Sequence, residues 1–174
     1  STGVLTFNSA PNYESKTSYS IVVTASDGTN STNQNVTITI TNVNEAPVFI
    51  FSATFSAEEN QTTIGTVAAT DTDGDTITYS ISGSDITINS SSGVIAFASA
   101  PDYETKSSYT ATVTANDGVN DTTQDITVTV TNVNDVAPEF TSEATFSAAE
   151  NQTAIGTVTA SDAEDDEITF TVSG

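Results

Sequence analysis

The chain has 174 residues, enough for one large domain or two small ones. It carries 23 acidic residues against two basic ones, a formal net charge of −21, and it has no Cys, Met, Trp or His. The missing imidazole and thiol groups exclude Cys/His zinc sites and Ser-His-Asp or Cys-His catalysis. The negative charge opposes nucleic-acid phosphates and anionic membrane surfaces, so we expect neither a nucleic-acid partner nor direct membrane insertion.

Along the chain, alternating apolar residues predict strands that bury one face. The alternation runs through Ile21, Val23 and Ala25, then Val36, Ile38 and Ile40, then Tyr109, Ala111, Val113 and Ala115, then Ile126, Val128 and Val130. Turns are indicated at Asp27-Gly28, Asp73-Gly74, Ser92-Gly93 and Asp117-Gly118. About seven strands per unit and no helical period predict an all-β fold of tandem Greek-key β-sandwiches with immunoglobulin-like architecture. Lacking Cys and Trp, it is not a true immunoglobulin domain.

The sequence repeats at an interval of about 90 residues. Ala10-Pro11-Asn12-Tyr13-Glu14 returns as Ala100-Pro101-Asp102-Tyr103-Glu104, an offset of 100 − 10 = 90. Glu59-Asn60-Gln61-Thr62 returns at Glu150-Asn151-Gln152-Thr153, an offset of 150 − 59 = 91. We therefore predict three units: residues 1–45 are the C-terminal half of a repeat, residues 46–135 a complete repeat, and residues 136–174 the N-terminal half of another.

The two half-units need completion, because half a sandwich leaves apolar strand faces and unpaired edges in water. Two explanations stay open. The chain is an excerpt of a longer array, or residues 137–174 of one copy pair with residues 1–45 of the next in a head-to-tail filament. In such a filament nothing would correspond to residues 84–89.

The acidic residues recur at strand ends and in turns rather than along the strands. Those in and around the complete unit are Glu59, Asp71, Asp73, Asp102, Glu104, Asp117 and Asp135. Gathered carboxylates repel one another unless a cation joins them, and an oxygen-only ligand set favours calcium before magnesium. The alternative is an ordinary solvated acidic surface or salt adaptation.

Five ordered motifs resemble those of a cadherin repeat. They are Glu59-Asn60, Asp71-Thr72-Asp73, Pro101-Asp102-Tyr103-Glu104, Ala115-Asn116-Asp117-Gly118 and Asn132-Val133-Asn134-Asp135-Val136-Ala137-Pro138. The resemblance covers the whole chain, as one complete repeat and two partial ones. Asn42-Val43-Asn44-Glu45-Ala46-Pro47, with the Thr-rich composition, resembles the repeats of large microbial surface proteins or adhesins more than those of animal cadherins.

The resemblance implies a calcium cluster at each boundary between consecutive domains. The first junction would use Glu14, Asn44, Glu45, Asp71, Asp73 and Asp117. The second would use Glu59, Asp102, Glu104, Asn134, Asp135, Asp162 and Glu164. The family's first linker Asp is replaced here by Asn42 and Asn132.

We expect a calcium-binding segment of an extracellular adhesin or structural rod at the cell surface, and not an enzyme. Its partners would be neighbouring repeats or other copies of itself, with a cell-surface protein or polysaccharide as a further partner. Two alternatives remain: a calcium-independent spacer, and a carbohydrate-binding β-sandwich. The candidate sugar platform would comprise Tyr13, Tyr19, Tyr103 and Tyr109.

Overall fold

A computed structural model describes residues 2–164 and 166–174, and every regular element among them is a β-strand. The strands are β1 (Ser18–Ser26), β2 (Ser31–Thr39), β3 (Val48–Phe49), β4 (Thr54–Glu58), β5 (Thr63–Thr66), β6 (Ala69–Thr70), β7 (Thr78–Ile81), β8 (Ile86–Ile88), β9 (Val94–Phe97), β10 (Ser108–Asn116), β11 (Asp121–Thr131), β12 (Glu139–Phe140) and β13 (Ala160–Ser161). This confirms the predicted all-β class. Within the described residues, no helix has the length and apolarity needed to cross a membrane.

Strands β3 to β11 form one sandwich, here called the central domain. One sheet has the order β4-β11-β10-β7, the other has the order β5-β9-β8, and β3 pairs with β6. The β4–β11 pair is parallel and the other pairs of the domain are antiparallel. The two larger sheets together supply the seven principal strands that the sequence predicts.

The core of the central domain lies between these two sheets. Val113 and Val128 of the first sheet and Ile95 of the second are fully buried, at 0 % exposure. Ile126, Val128 and Val130 occupy every second position of β11, and all three are buried. The period-two pattern in the sequence therefore matches the buried face of the strand. The intervening Thr residues face outward, where branched hydroxylated side chains suit a solvated sheet.

The flanking segments repeat pieces of the central domain. The β1–β2 hairpin pairs Tyr19 with Ile38, the register of Tyr109 with Val128 one repeat later. At the other end, β12 and β13 pair in the register of β3 and β6, displaced by 91 residues. The structure therefore shows the tandem repetition, while the unit boundaries at residues 45 and 135 stay predictions.

The topology places the acidic motifs at opposite ends of the central domain. Strands β4 and β11 run parallel, so Glu59 and the linker 132–138 leave the sheet at the same end, joined by a hydrogen bond from the Glu59 N–H to the Thr131 carbonyl. The turn before β10 lies there too, because β10 is antiparallel to β11. At the opposite end, β6 leads into the turn 71–75 and β10 ends before Asp117.

Candidate metal centres at the two junctions

Glu59 is a buried carboxylate at the centre of the second junction, which we define as the linker 132–138 with the acidic residues around it. Its exposed fraction is 3 %. One carboxylate oxygen accepts the N–H of Tyr103 at 2.8 Å, and the other accepts the N–H of Val133 at 2.7 Å. Because two backbone donors from separate segments hold it, the carboxylate is fixed between the domain and the linker before any ion binds.

Four carboxylates from three parts of the chain meet at this junction. Each contributes one oxygen, and these oxygens lie within 4.8 Å of one another; the residues are Glu59, Glu104, Asp135 and Glu164. Desolvation by the surrounding atoms, followed by the charges of Glu59 and Glu164, raises the pKa of Glu104. The cluster therefore gathers negative charge without any basic side chain among its members.

The segment beyond the linker holds the same junction from the other side. The Glu164 carboxylate accepts the N–H groups of Asp135 at 3.0 Å and Val136 at 3.1 Å. Asp162 accepts the N–H of Glu164 at 2.9 Å, and the Asn134 side-chain amide donates to Asp166. Asp162, Glu164 and Asp166 form a further group of converging carboxylates.

The first junction, which is the linker 42–47 with its surrounding acidic residues, has a related arrangement. Oxygens of Glu14, Glu45 and Asp73 lie within 4.8 Å of one another. Desolvation by the surrounding atoms and the charges of Asp73 and Glu14 raise the pKa of Glu45. Asp73 accepts the Glu45 N–H at 2.9 Å and the Asn42 amide at 2.7 Å, and these donors lower the pKa of Asp73.

Asp71 lies beside this cluster, and its two carboxylate oxygens differ in their hydrogen bonding. Its Oδ1 accepts the N–H groups of Asp73 at 2.9 Å and Asp75 at 3.1 Å. Its Oδ2 is buried and has no hydrogen-bond partner among the described residues. Oxygens of Asp71, Asp73 and Asp75 converge within 4.8 Å, so the bare oxygen belongs to a group suited to a cation.

Asn44 and Asp117 connect the first linker to the far turn of the central domain. The Asn44 amide donates to Asp117 Oδ2 at 2.8 Å, while Asp117 Oδ1 accepts the N–H groups of Asn120 and Val119. The Asn120 backbone donor is the largest cause of the lowered pKa of Asp117. This contact fixes the linker against the domain that follows it.

The structure gathers most, but not all, of the predicted site residues into acidic clusters. Of the predicted carboxylates, Asp102 and Asp117 lie outside those clusters, and the predicted Asn44 and Asn134 contribute amide groups beside them. Asp102 instead accepts the N–H and the hydroxyl of Thr105, each at 3.0 Å, in the turn before β10. Asp117 sits beside Asn44 at the first junction.

The sequence motifs did not single out Asp75 and Asp166, which complete two of the clusters. Both stand at the third position of an acidic triplet with alternate spacing, in Asp71-x-Asp73-x-Asp75 and Asp162-x-Glu164-x-Asp166. Their recurrence at an offset of 91 was the signal that could have found them. A turn folds these alternate positions toward one point, as the backbone hydrogen bonds to Asp71 show.

Known proteins with similar repeats are cadherins. A model of the cadherin domain family, described as "Cadherin domain", matches residues 51–132. The protocadherin-like wing polarity protein stan of Drosophila melanogaster is 36 % identical over 162 residues, covering 80 % of this chain and 4 % of that protein. Cadherin-7 of Gallus gallus is 32 % identical over 173 residues, covering 86 % and 22 %. The chain thus spans only a small part of these relatives.

Solved structures agree. Mouse cadherin-23 EC22-24 superposes with a TM-score of 0.67 at 27 % identity, covering 90 % of this chain and 57 % of that one. The protocadherin gammaB7 EC3-6 cis-dimer structure also gives a TM-score of 0.67 at 27 % identity, covering 89 % and 44 %. The tandem β-sandwich repeats, the order of their acidic motifs and these matches lead to one assignment: this chain carries a cadherin-like repeat of the extracellular, cell-surface type.

Proposed function

We propose that this segment binds calcium at both junctions, and that the bound ions stiffen an extracellular adhesive or structural rod. The observation that carries the proposal is the convergence of Glu59, Glu104, Asp135 and Glu164 within 4.8 Å. These residues come from the domain before the linker, the linker itself and the segment after it. An ion bound by all of them would tie the three parts together.

The donor set fits a hard cation. At the second junction, Glu59, Glu104, Asp135 and Glu164 would share an ion, and Asp162 and Asp166 with Asn134 would hold another. At the first junction, Glu14, Glu45 and Asp73 would take the corresponding part, with Asn44 of the linker and Asp71, Asp75 and Asp117 of the domain that follows it. All offer oxygen, and calcium accepts 6–8 oxygens in irregular geometry. A role for Asp102 stays a prediction, because its oxygens hold Thr105.

Calcium supplies the positive charge that these clusters lack. An ion that binds only the assembled junction stabilises it by RT ln(1 + [L]/Kd), about 2.7 kcal/mol at a hundred times the dissociation constant. Extracellular calcium modules have dissociation constants of roughly 10⁻⁴–10⁻³ M, so such sites fill where calcium is millimolar. The proposal therefore matches the extracellular location of the family.

Adhesion would involve neighbouring repeats or other copies of the chain, with a cell-surface protein or polysaccharide as a further partner. The relatives that match are cadherins, and one related solved structure is a protocadherin cis-dimer. In a tandem array each repeat contacts its neighbours, which suits a segment that supplies reach and stiffness.

The carbohydrate-binding alternative has less support from the aromatic side chains. The ring of Tyr109 packs against Phe97 at a centroid distance of 4.9 Å, and Lys106 lies 4.1 Å from its centroid. Tyr19 makes the same contacts with Phe7 and Lys16 one repeat earlier. Both rings pack against a Phe and lie beside a Lys of their own repeat, which supports a packing role for them.

The first test is a thermal melt of the chain after chelation, in millimolar calcium and in millimolar magnesium, with two variants. We expect calcium to raise the melting temperature by about 10–20 °C, since roughly 1 kcal/mol shifts a small domain by 4–8 °C. Glu59→Gln should lose most of this rise. It should also lower stability without calcium by about 1–3 kcal/mol, because one backbone donor at Tyr103 or Val133 loses its acceptor.

Glu58→Gln is the matched control. Glu58 is the neighbouring residue and is exposed, and among the described residues its one hydrogen-bond donor is Gln61, so the calcium response of Glu58→Gln should equal that of the unmodified chain. An equal rise with magnesium would contradict a calcium-specific site. A full calcium response in Glu59→Gln would remove Glu59 from it.

A further inference from the structure

Asp73 is the carboxylate that holds the first linker, and both of its oxygens accept hydrogen bonds from that linker. Oδ1 accepts the side-chain amide of Asn42 at 2.7 Å, and Oδ2 accepts the N–H of Glu45 at 2.9 Å. The same residue is a member of two groups of converging acids, one shared with Glu14 and Glu45 and one formed by the turn 71–75. The orientation of this one side chain therefore affects both groups.

The second junction holds the corresponding carboxylate in a different way. Glu164 is the counterpart of Asp73, at an offset of 164 − 73 = 91. Glu164 accepts the N–H of Asp135 at 3.0 Å and the N–H of Val136 at 3.1 Å. Two consecutive backbone N–H groups of the linker therefore fix this carboxylate.

The two linkers differ in length by one residue, and this accounts for the different donors. The second linker contains Asn134-Asp135-Val136-Ala137-Pro138, whereas the first contains Asn44-Glu45-Ala46-Pro47. Val136 has no counterpart in the first linker, and its N–H is one of the two donors to Glu164. Among the described residues, the first linker therefore offers Asp73 one backbone donor, and the other oxygen accepts the Asn42 amide instead.

Asn132 occupies the position of Asn42 one repeat later, at an offset of 132 − 42 = 90. Both residues are exposed. Within the part of the chain that the structure describes, no hydrogen bond joins the Asn132 side chain to Glu164, which already has its two backbone donors. The amide at this position is thus used at the junction whose linker lacks the extra residue.

The two lysines of the chain have other contacts. The Lys16 ammonium lies 4.2 Å from the centroid of the Tyr19 ring, and Lys106 pairs with Asp85 at 2.6 Å. A carboxylate at position 42 would add like charge beside Asp73, whereas an amide is neutral and donates a hydrogen bond. Hydrogen bonds to a charged acceptor are stronger than those between neutral groups, so this one amide has a substantial effect.

We propose that Asn42 is the positioning residue of the first junction, whose amide replaces the backbone donor that the shorter linker lacks and fixes Asp73 toward both groups of acids. Asn42 acts through Asp73 and does so without adding negative charge to the cluster. The effect on calcium affinity rests on the proposed function, whereas the effect on the calcium-free linker does not.

A calcium titration of the full-length chain followed by nuclear magnetic resonance tests the positioning role. The backbone amide signal of Gly74 reports on the turn 71–75 at the first junction. Asn42→Ala should raise the calcium dissociation constant measured at Gly74 about tenfold, because removing a group that orients a metal ligand typically weakens binding by this factor or more. Asn132→Ala is the matched control and should leave that constant unchanged. An unchanged constant in Asn42→Ala would overturn the proposal, and so would an equal increase in Asn132→Ala.

Lengthening the first linker tests which donor the amide replaces. One Val inserted between Glu45 and Ala46 gives the first linker the length of the second. In Asn42→Ala this insertion should supply a backbone donor to Asp73 again and recover most of the lost calcium affinity. Loss of a side chain with a merely structural role would not be repaired in this way. Failure of the insertion to recover any affinity would overturn the proposed exchange of donors.

Thermal melts in chelator test the calcium-free part of the proposal. Asn42→Ala should lower the melting temperature by a few degrees, because Asp73 loses a donor. Asn42→Asp should lower it further, since two carboxylates would then face each other, and added salt should reduce this second loss. Asn132→Ala should have a smaller effect than Asn42→Ala. A melting temperature of Asn42→Asp equal to that of the unmodified chain would contradict the role of the amide.

The two kinds of measurement separate this inference from the proposed function. Saturable calcium binding at Gly74 that is unaffected by Asn42→Ala overturns the inference and leaves the calcium sites standing. A lowered melting temperature of Asn42→Ala in chelator, with no saturable response of Gly74 to calcium, supports the calcium-free role of the amide. That second result overturns the proposed calcium site at the first junction.

Discussion

Individual carboxylates at the junctions differ in the sign of their pKa shifts. Desolvation by the surrounding atoms and neighbouring negative charges raise the pKa of Glu45 and Glu104 above the ordinary value of 4.5. Backbone donors, from Glu45 to Asp73 and from Asn120 to Asp117, lower the pKa of those two Asp residues below 3.8. The Asp residues that accept backbone N–H groups therefore have lowered pKa values, whereas the two Glu residues near other negative charges have raised pKa values.

These shifts predict how stability without calcium depends on pH. As pH falls toward 4.5, folded Glu45 and Glu104 bind protons before the unfolded chain does, so stability should rise. As pH falls below 3.8, the unfolded chain protonates before Asp73 and Asp117, so their contribution should be lost. Melting temperatures measured in chelator should therefore pass through a maximum in acid.

The stabilisation that calcium provides should have a different pH dependence between neutral pH and pH 4.5. Protons compete with the ion for Glu45 and Glu104, so the stabilisation by calcium should shrink as pH falls toward 4.5. The same melts with calcium present supply the comparison. A calcium effect that stays constant through this range would contradict the assignment of these two carboxylates to the site.

Among the elements, the two long hairpins have the same register but different surroundings. Val113 in β10 is fully buried between two sheets, whereas its counterpart Val23 in β1 is half-buried. We expect Val113→Ala to reduce the free energy of unfolding of the central domain by about 2 kcal/mol, from two lost methyl groups and the cavity they leave. Val23→Ala should cost the dilute chain much less.

Urea denaturation of both variants at low protein concentration measures the difference. Equal losses would mean that the hairpin already has a complete core around it in a single copy. That result would contradict the half-buried state of β1 on which the difference depends.

Sequence patterns predicted the long strands well because local alternation defines them. The buried faces of β10 and β11 follow directly from Val113, Val128 and their alternating neighbours. The short pair β3 and β6 and the parallel pairing of β4 with β11 could not be predicted in this way. They depend on contacts between distant segments, and two-residue strands carry no period of their own.

The candidate site was predictable in part for a related reason. Repetition every 90 residues singled out Glu59, Asp71 and Asp73, and the structure places each of them at a junction. Repetition does not distinguish a carboxylate that faces a cluster from one that caps its own turn, as Asp102 does. That distinction depends on side-chain direction in the folded turn.

At the scale of the whole molecule, the chain is a series of cadherin-like β-sandwich repeats whose links carry the acidic residues. Eleven of its 23 acidic residues lie in the clusters at these links, so cation binding there would govern how the repeats are held. The relatives reported above are animal cadherins, and the likeness to microbial surface proteins stays a prediction.

Equilibrium dialysis of the chelated chain against calcium, with magnesium in excess as competitor, tests the central claim most directly. We predict saturable calcium binding with dissociation constants of roughly 10⁻⁴–10⁻³ M that excess magnesium does not displace and that Glu59→Gln weakens. Weak, non-saturating uptake that magnesium displaces equally would contradict it. The acidic clusters would then be ordinary surface charge on a calcium-independent spacer.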